Sequence, residues 1–331
     1  MSNPDPSLLA FLQDSSLATA GEIGSWSRLA GGVSSDIWGV SLESGEYCVK
    51  RALPQLRVAA TWYAPTDRNE QEWAYLNVAE RIVPGRVPKP IAHDRARGVF
   101  AMAWLASDRH RLWKSELLRG CVDIDAAAGV GHLIGRIHGA TAHDEEVASC
   151  FANDATFRSL RIEPYFVETA KRHPALAERI LSIAEKTAQT RHALVHGDVS
   201  PKNILLSQDG PVLIDAECAS FGDPAFDLAF CLNHLIIKSR VVSGARECLL
   251  SAAIALLSAY RIHICWEQSD AFESRVSALL PVLALARVDG KSPLEYLKTS
   301  DQISLRQVAI EAILQAPKDT TTAIKALARV E

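Results

Sequence analysis

Between residues 26 and 53 apolar and polar positions alternate in short runs broken by glycine: WSRLAGGVSSDIWGVSLESGEYCVKRAL. A period of two predicts strands, and glycines predict the turns between them. The stretch therefore reads as strand, Gly-Gly turn, strand, Ser-Gly turn, strand. A helix is predicted over 70–81 and stops at VPGRVPKP, whose prolines break regular structure. A further strand pair is predicted over 90–105, turning at Ala96, Arg97 and Gly98. Beyond residue 105 the period becomes helical. Val130, Leu133, Ile134 and Ile137 share one face, and Gly131, Gly135 and Gly139 recur every four residues, a stripe along which another helix can approach closely. Long helical patterns also occupy 163–189, 224–238, 247–260 and 271–288. At the start of the chain, Asp5 and Pro6 suit the cap and first turn of a helix. The pattern predicts an α+β chain: a small N-lobe with an antiparallel sheet (1–104), joined near Trp104 to a larger, mainly helical C-lobe (105–331).

Composition narrows the classes without choosing a function. The 331 residues are 48% hydrophobic and 22% charged, as in ordinary globular proteins. A net charge of -4 provides no global basic field, so a nucleic-acid partner is not expected. Seven scattered cysteines with no CxxC pair predict reduced, mostly buried thiols rather than a disulfide framework or zinc site. The opening MSNPDPSLLAFLQD carries acid rather than base before a short apolar stretch, unlike a signal peptide. The longest apolar run, 249–260, is too short to span a bilayer. A cytoplasmic protein with no membrane partner is expected.

The chemistry concentrates in LVHGDVSPKNILLSQDGPVLIDAECASFGDPAFDLA. Phosphoryl transfer from a nucleotide needs a carboxylate to orient an attacking hydroxyl and oxygen ligands to hold Mg2+ against the phosphates. Protein kinases place an Asp, four intervening residues and a metal-binding Asn, with a second metal-binding Asp downstream. Asp198 and Asn203 stand at that interval, and ILL and PVLID read as a hairpin that returns Asp215 beside them. Hard oxygen ligands there suit Mg2+. A lone Asp in a Pro-containing loop is otherwise a turn former; the ordered trio is what favours chemistry. His196 reads as a structural partner of the loop backbone, Asp223 as a helix cap, and Asp227 as a brace for the loop. Glu217 is left between metal and a cationic substrate.

HGDVSPKNIL followed by LIDAE and GDPAFDLA resembles the aminoglycoside phosphotransferase and choline kinase group of small-molecule kinases, which is similar in fold to the eukaryotic protein kinases. The resemblance implies a bilobal protein kinase-like fold, Asp198 as catalytic base, Asn203 and Asp215 as Mg2+ ligands, and ATP or GTP as phosphate donor. In LAGGVSSDIW, Gly31 and Gly32 would cover the phosphates, with Ser34 and Ser35 offering N–H groups and hydroxyls. Asp36 stands where related kinases often carry Asn. Lys50, ending EYCVK on the face of Cys48, would lie over the nucleotide. Glu72 is preferred to Glu70 as its partner because Leu76 follows at i+4, as in the family. The segment VFAMAWL, with Met102 and Trp104, would border the purine through its backbone. Ala103 replaces a frequent acidic residue there, so adenine against guanine stays open.

The acceptor is expected to be a small hydroxylated molecule. Only about a dozen residues separate Asp215 from Asp227, and no APE-like anchor for a peptide platform appears. Arg109, His110, Arg111, Lys114 and Arg119 would favour an anionic acceptor if they face the cleft; otherwise they form a solvated helix face. Arg287, Asp289 and Lys291 either line the acceptor pocket or join two helices. The competing classes are a pseudokinase, which would need a lost catalytic group, and a protein kinase of the same fold. Oligomeric state is not legible.

Overall fold

The computed structural model describes residues 5–29, 35–53 and 68–329. Five antiparallel strands form one sheet: β1 (Ser25–Arg28), β2 (Ser35–Leu42), β3 (Gly45–Ala52), β4 (Pro90–Asp94) and β5 (Val99–Ala103), in the order β1-β2-β3-β5-β4. The alternation in the sequence sorts its two faces. On the outer face Trp38, Val40, Val49, Val99 and Ala101 pack against Leu8, Phe11 and Leu12 of helix α1 (Pro6–Asp14). Asp5 caps that helix by accepting from the Ser7 N–H at 2.9 Å, as its position before Pro6 predicts. The inner face carries Ile37, Cys48, Lys50 and Met102 towards a cleft. Helix α2 (Arg68–Ile82) packs across it and buries Glu72, Tyr75 and Leu76.

The rest of the chain is mostly helical. Strand β6 (Arg111–Leu112) leads into α3 (Trp113–Leu118), α4 (Ile124–Thr141), α5 (Glu145–Cys150) and α6 (Asp154–Phe157). The helix expected over 163–189 is not continuous. Arg158–Val167 is a π-helical stretch with Pro164 inside it, α7 (Glu168–Arg172) follows, and Pro174 interrupts before α8 (Ala177–Gln189). Proline lacks the N–H and the space for an unbroken helix, so the periodicity gave the face but not the continuity.

Strand β7 (Ala193–Val195) pairs with β10 (Ser220–Gly222), enclosing the hairpin of β8 (Ile204–Ser207) and β9 (Gly210–Leu213). Helices α9 (Pro224–Val241), α10 (Arg246–Arg261), α11 (Ser269–Asp289), α12 (Thr299–Gln315) and α13 (Thr320–Leu327) complete the chain. Helix α9 is buried on almost every side and forms the spine of the main core. The glycine stripe of α4 does what its spacing predicts: a Cβ on Gly131 would sit 2.2 Å from the Leu256 carbonyl of α10.

Among the described residues no helix is long and apolar enough to cross a membrane. All seven cysteines are free, but only Cys48, Cys218 and Cys231 are buried; the other four are exposed, against the expectation of mostly buried thiols.

Candidate active site

The loop 196–203 is fixed from behind. Asp227, one turn into α9, accepts from the N–H groups of His196 (2.7 Å) and Gly197 (2.8 Å), the bracing role its position predicts. The His196 ring is also structural: its Nδ1 accepts from the Asp198 N–H at 3.2 Å and its Nε2 lies 3.1 Å from the Ile214 carbonyl. That arrangement requires a neutral ring, and burial holds its pKa below the ordinary histidine range. Gly197 has φ +73, and a Cβ there would meet the Cys218 carbonyl at 2.5 Å, so only glycine fits between the two segments.

Asp198 points into a cationic environment. Its Oδ2 lies 3.0 Å from Lys202 Nζ and 3.1 Å from Arg161 Nη2, and accepts from Asn203 Nδ2 at 2.9 Å. Burial alone would raise its pKa; the Arg161 guanidinium and Lys202 ammonium overcome that and keep the carboxyl ionised. Asn203 Nδ2 also donates to the Asp198 carbonyl at 3.1 Å, which leaves the amide Oδ1 as its free ligand atom.

The Ile214 N–H donates to the Asn203 carbonyl at 3.0 Å and closes the hairpin, returning Asp215 to the loop. Asp215 has φ +66, a left-handed conformation uncommon outside glycine and Asn or Asp. Its Oδ1 lies 2.5 Å from Lys50 Nζ, and Lys50 Nζ lies 2.6 Å from Glu72 Oε2. Glu72 is therefore the glutamate that meets Lys50; Glu70 instead pairs with Arg95 at the surface. Burial would lower the Lys50 pKa, but Asp215 and Glu72 outweigh it and keep the ammonium charged. Burial likewise pushes the Glu72 carboxyl up, to about 7, against the pull of Lys50.

Lys50, Glu72, Lys202, Asn203 and Asp215 border one cleft of about 500 Å3, a size suited to a nucleotide-sized ligand. Its apolar walls are Leu29, Ile37, Met102, Trp104, Leu205 and Ile214; Lys50, Lys202, Asn203 and Asp215 gather at the polar end. Ser35 is buried as the first residue of β2, opposite Ala52. Gly31, Gly32 and Ser34 lie outside the described residues. Among the described residues no three His, Cys, Asp or Glu side chains cluster as a self-sufficient metal cage. Two protein oxygens, Asn203 Oδ1 and Asp215 Oδ2, fit the way Mg2+ binds when phosphates and water supply its remaining ligands.

The basic run after Trp104 does not converge on this centre. Arg111 pairs with Glu116 at 3.0 Å, Arg119 pairs with the same carboxylate, and only Lys114 reaches the cleft. Arg161 was not singled out by the sequence: it stands just before the helical pattern that opens at 163, and the π-helical stretch Arg158–Val167 brings it to Asp198. Lys202 was in view within the motif, at i+4 from Asp198. Glu217 pairs with Arg68 at 3.2 Å.

The chain is 26% identical over 329 residues to the methylthioribose kinase of Pectobacterium atrosepticum, covering 91% of this chain and 78% of that one. Matches to methylthioribose kinases of other bacteria take in 53–63% of their lengths. Among solved structures, an amicoumacin kinase in complex with AMP-PNP and Ca2+ superposes with a TM-score of 0.56 at 15% identity, covering 96% of each chain. A choline/ethanolamine kinase family protein from Mesorhizobium loti gives 0.52 at 15% identity, over 97% of this chain and 99% of that one. These likenesses show a kinase-like fold of sheet and helices. The phosphotransferase enzyme family model matches residues 25–260, and the chain belongs to that family of enzymes.

Proposed function

We propose that the protein is a small-molecule kinase in which a lobe of residues 1–104 and a lobe of residues 105–331 clasp Mg-ATP, or Mg-GTP, in the cleft. Asp198 orients the acceptor hydroxyl and takes its proton as the oxygen attacks the γ-phosphorus. The bond to the β-phosphate oxygen breaks, and the nucleoside diphosphate leaves with the bonding electrons. Lys50, set by Glu72, neutralises phosphate charge; Asn203 and Asp215 hold Mg2+, which offsets the charge developing on the phosphoryl oxygens. Gly31, Gly32, Ser34 and Ser35 would cover the phosphates, and the chain at Met102 and Trp104 would border the base.

The reading rests above all on one observation: Lys50 contacts both Glu72 and Asp215, and Asp198 accepts from Asn203 on the neighbouring loop, so none of the groups the reading needs is missing, as one would be in a pseudokinase. The short segment between Asp215 and α9 leaves little room for a peptide platform and favours a small acceptor. Relatives at about 26% identity are methylthioribose kinases, so methylthioribose belongs in the acceptor panel as its uncharged sugar. The test is transfer of labelled γ-phosphate from Mg-ATP and Mg-GTP to hydroxylated acceptors. Asp198→Ala is expected to bind Mg-nucleotide nearly as the unaltered chain does and to lose transfer by roughly two to four decades. Full turnover by that variant would remove Asp198 from the role.

A further inference from the structure

Beyond the catalytic loop, α9 carries Asp227, Phe230, His234 and Lys238 at helical spacing along one side. Asp227 braces the loop; the other three lie among cations brought in by separate segments. Arg161, which holds Asp198, lies 5.9 Å from the Tyr165 ring and 5.8 Å from the Phe230 ring. Arg287, near the end of α11, flanks the same two rings at 5.5 and 5.9 Å. Lys238 lies 4.9 Å over the Tyr296 ring and 3.2 Å from its hydroxyl. Lys114 and Lys202 join the group from the rim of the nucleotide cleft.

The charge balance here is one-sided. Among the described residues neither Arg287 nor Lys238 has a carboxylate within ion-pair distance, although both are more than nine-tenths buried. Arg287 donates only to neutral groups, the Tyr165 hydroxyl at 2.7 Å and Ser292, and its Nε is buried without a hydrogen-bond partner. The acids nearby are already engaged. Asp198 is held by Arg161 and Lys202, Glu295 by Lys114, and Asp289 by His173 (2.8 Å) and Arg306 (2.7 Å). Burial, with Arg287 and Lys114 beside it, pushes Lys238 down to about 7; burial and the same cations hold His234 well below the ordinary range. Cations kept dry without counter-charges are costly, and an entering anion relieves that cost.

We propose that this cluster is the acceptor site and that the acceptor is an anion: a small hydroxylated molecule whose carboxylate or phosphate is held by Arg287 and Lys238 while its hydroxyl reaches Asp198. The inference rests on the kinase reading and deepens it by naming the acceptor class. A guanidinium offers paired donors matched to an oxyanion, and the Tyr165 and Phe230 rings, set at 64° to each other, add apolar surface beside it. The same field repels cationic amino alcohols and aminoglycosides, and an uncharged sugar leaves both cations uncompensated.

The test is calorimetric titration of four hydroxylated probes into the full chain saturated with Mg–AMP-PNP: glycerate, glycerol 3-phosphate, glycerol and choline. At least one anion is expected to bind tenfold or more tightly than glycerol or choline, and the order of the two anions separates carboxylate from phosphate. The preference is expected to collapse in Arg287→Gln and in Lys238→Met and to return in part in Arg287→Lys. Retained Mg–AMP-PNP binding identifies the folded variants, and Lys238→Met keeps the test decisive should Arg287→Gln fail to fold. Equal binding of the four probes, no binding of the anions, or a preference for choline overturns the anionic acceptor. Mg–AMP-PNP binding in that same experiment leaves the kinase reading standing. Failure of the unaltered chain to bind Mg–AMP-PNP strikes the kinase reading instead, and the anion preference is then read without nucleotide.

Discussion

Asp215 carries two demands in one side chain: a carboxylate beside Lys50, and a backbone at φ +66 that few residues adopt cheaply. The two separate by mutation. Asp215→Asn keeps the left-handed tolerance and is expected to leave the thermal midpoint nearly unchanged while weakening Mg-nucleotide binding by at least an order of magnitude. Asp215→Ala loses both and should also destabilise the fold by roughly 1–3 kcal/mol, the cost of such backbone strain, measurable by urea denaturation. Lys238 yields a prediction in pH. Its pKa in the folded chain, about 7, lies below the 10.5 of an unfolded lysine. Between those values the unfolded chain binds the extra proton, so this residue makes stability rise with pH. Lys238→Met should therefore be more stable than the unaltered chain near pH 6, with the difference shrinking as pH climbs from about 7 towards 10. A constant difference across that range would mean that Lys238 stays charged when folded.

The contact between α4 and α10 is where helix geometry fixes a sequence choice. Gly131→Ala gains up to about 1 kcal/mol of helix propensity but places a methyl 2.2 Å from a backbone carbonyl that cannot swing aside. Overpacking of roughly 1–3 kcal/mol wins, so the variant should melt lower. Gly139→Ala, whose nearest neighbour would be the His263 carbonyl at 3.3 Å, should lose less. Elements of this kind were legible in the sequence because period and punctuation are local. The strands and turns from β2 to β5, and helices α2, α9, α10 and α11, follow their predicted patterns closely, whereas α12 and α13 were not predicted. The Asp198–Asn203 interval and the hairpin that returns Asp215 were legible for the same reason. The π-helical register at Arg158–Val167 was not, since it arises where the chain packs against α8 and α11 and has no mark in the apolar spacing. Arg161 was lost with it. Lys238 escaped notice differently: a lysine in an apolar helix reads as a solvated end, and only the burial of α9 makes it an interior charge.

At the scale of the whole molecule the site is assembled from distant pieces: Lys50 meets Asp215 across 165 positions of chain, and Arg287 meets Tyr165 across 122. The sheet lines the cleft on one side and the β8–β9 hairpin on the other, so a nucleotide bound there would stabilise only the fully folded chain. Linkage sets the scale: a ligand at a hundred times its Kd adds about 2.7 kcal/mol. For a chain of this length that corresponds to a rise of a few degrees in Tm, on the order of 5 °C. Saturating Mg-ATP is expected to raise the Tm of the unaltered chain by that much, and to do so again for Asp198→Ala, whose lost carboxylate is the one proposed to serve the acceptor. Asp215→Asn should show little of the shift with Mg-ATP. The contrast between the two aspartates is the informative result, because they are close enough to feel each other's charge and differ in assigned role. If both variants kept the full shift, Asp215 would not hold Mg2+ on the nucleotide; if both lost it, Asp198 would serve nucleotide binding as well as the acceptor.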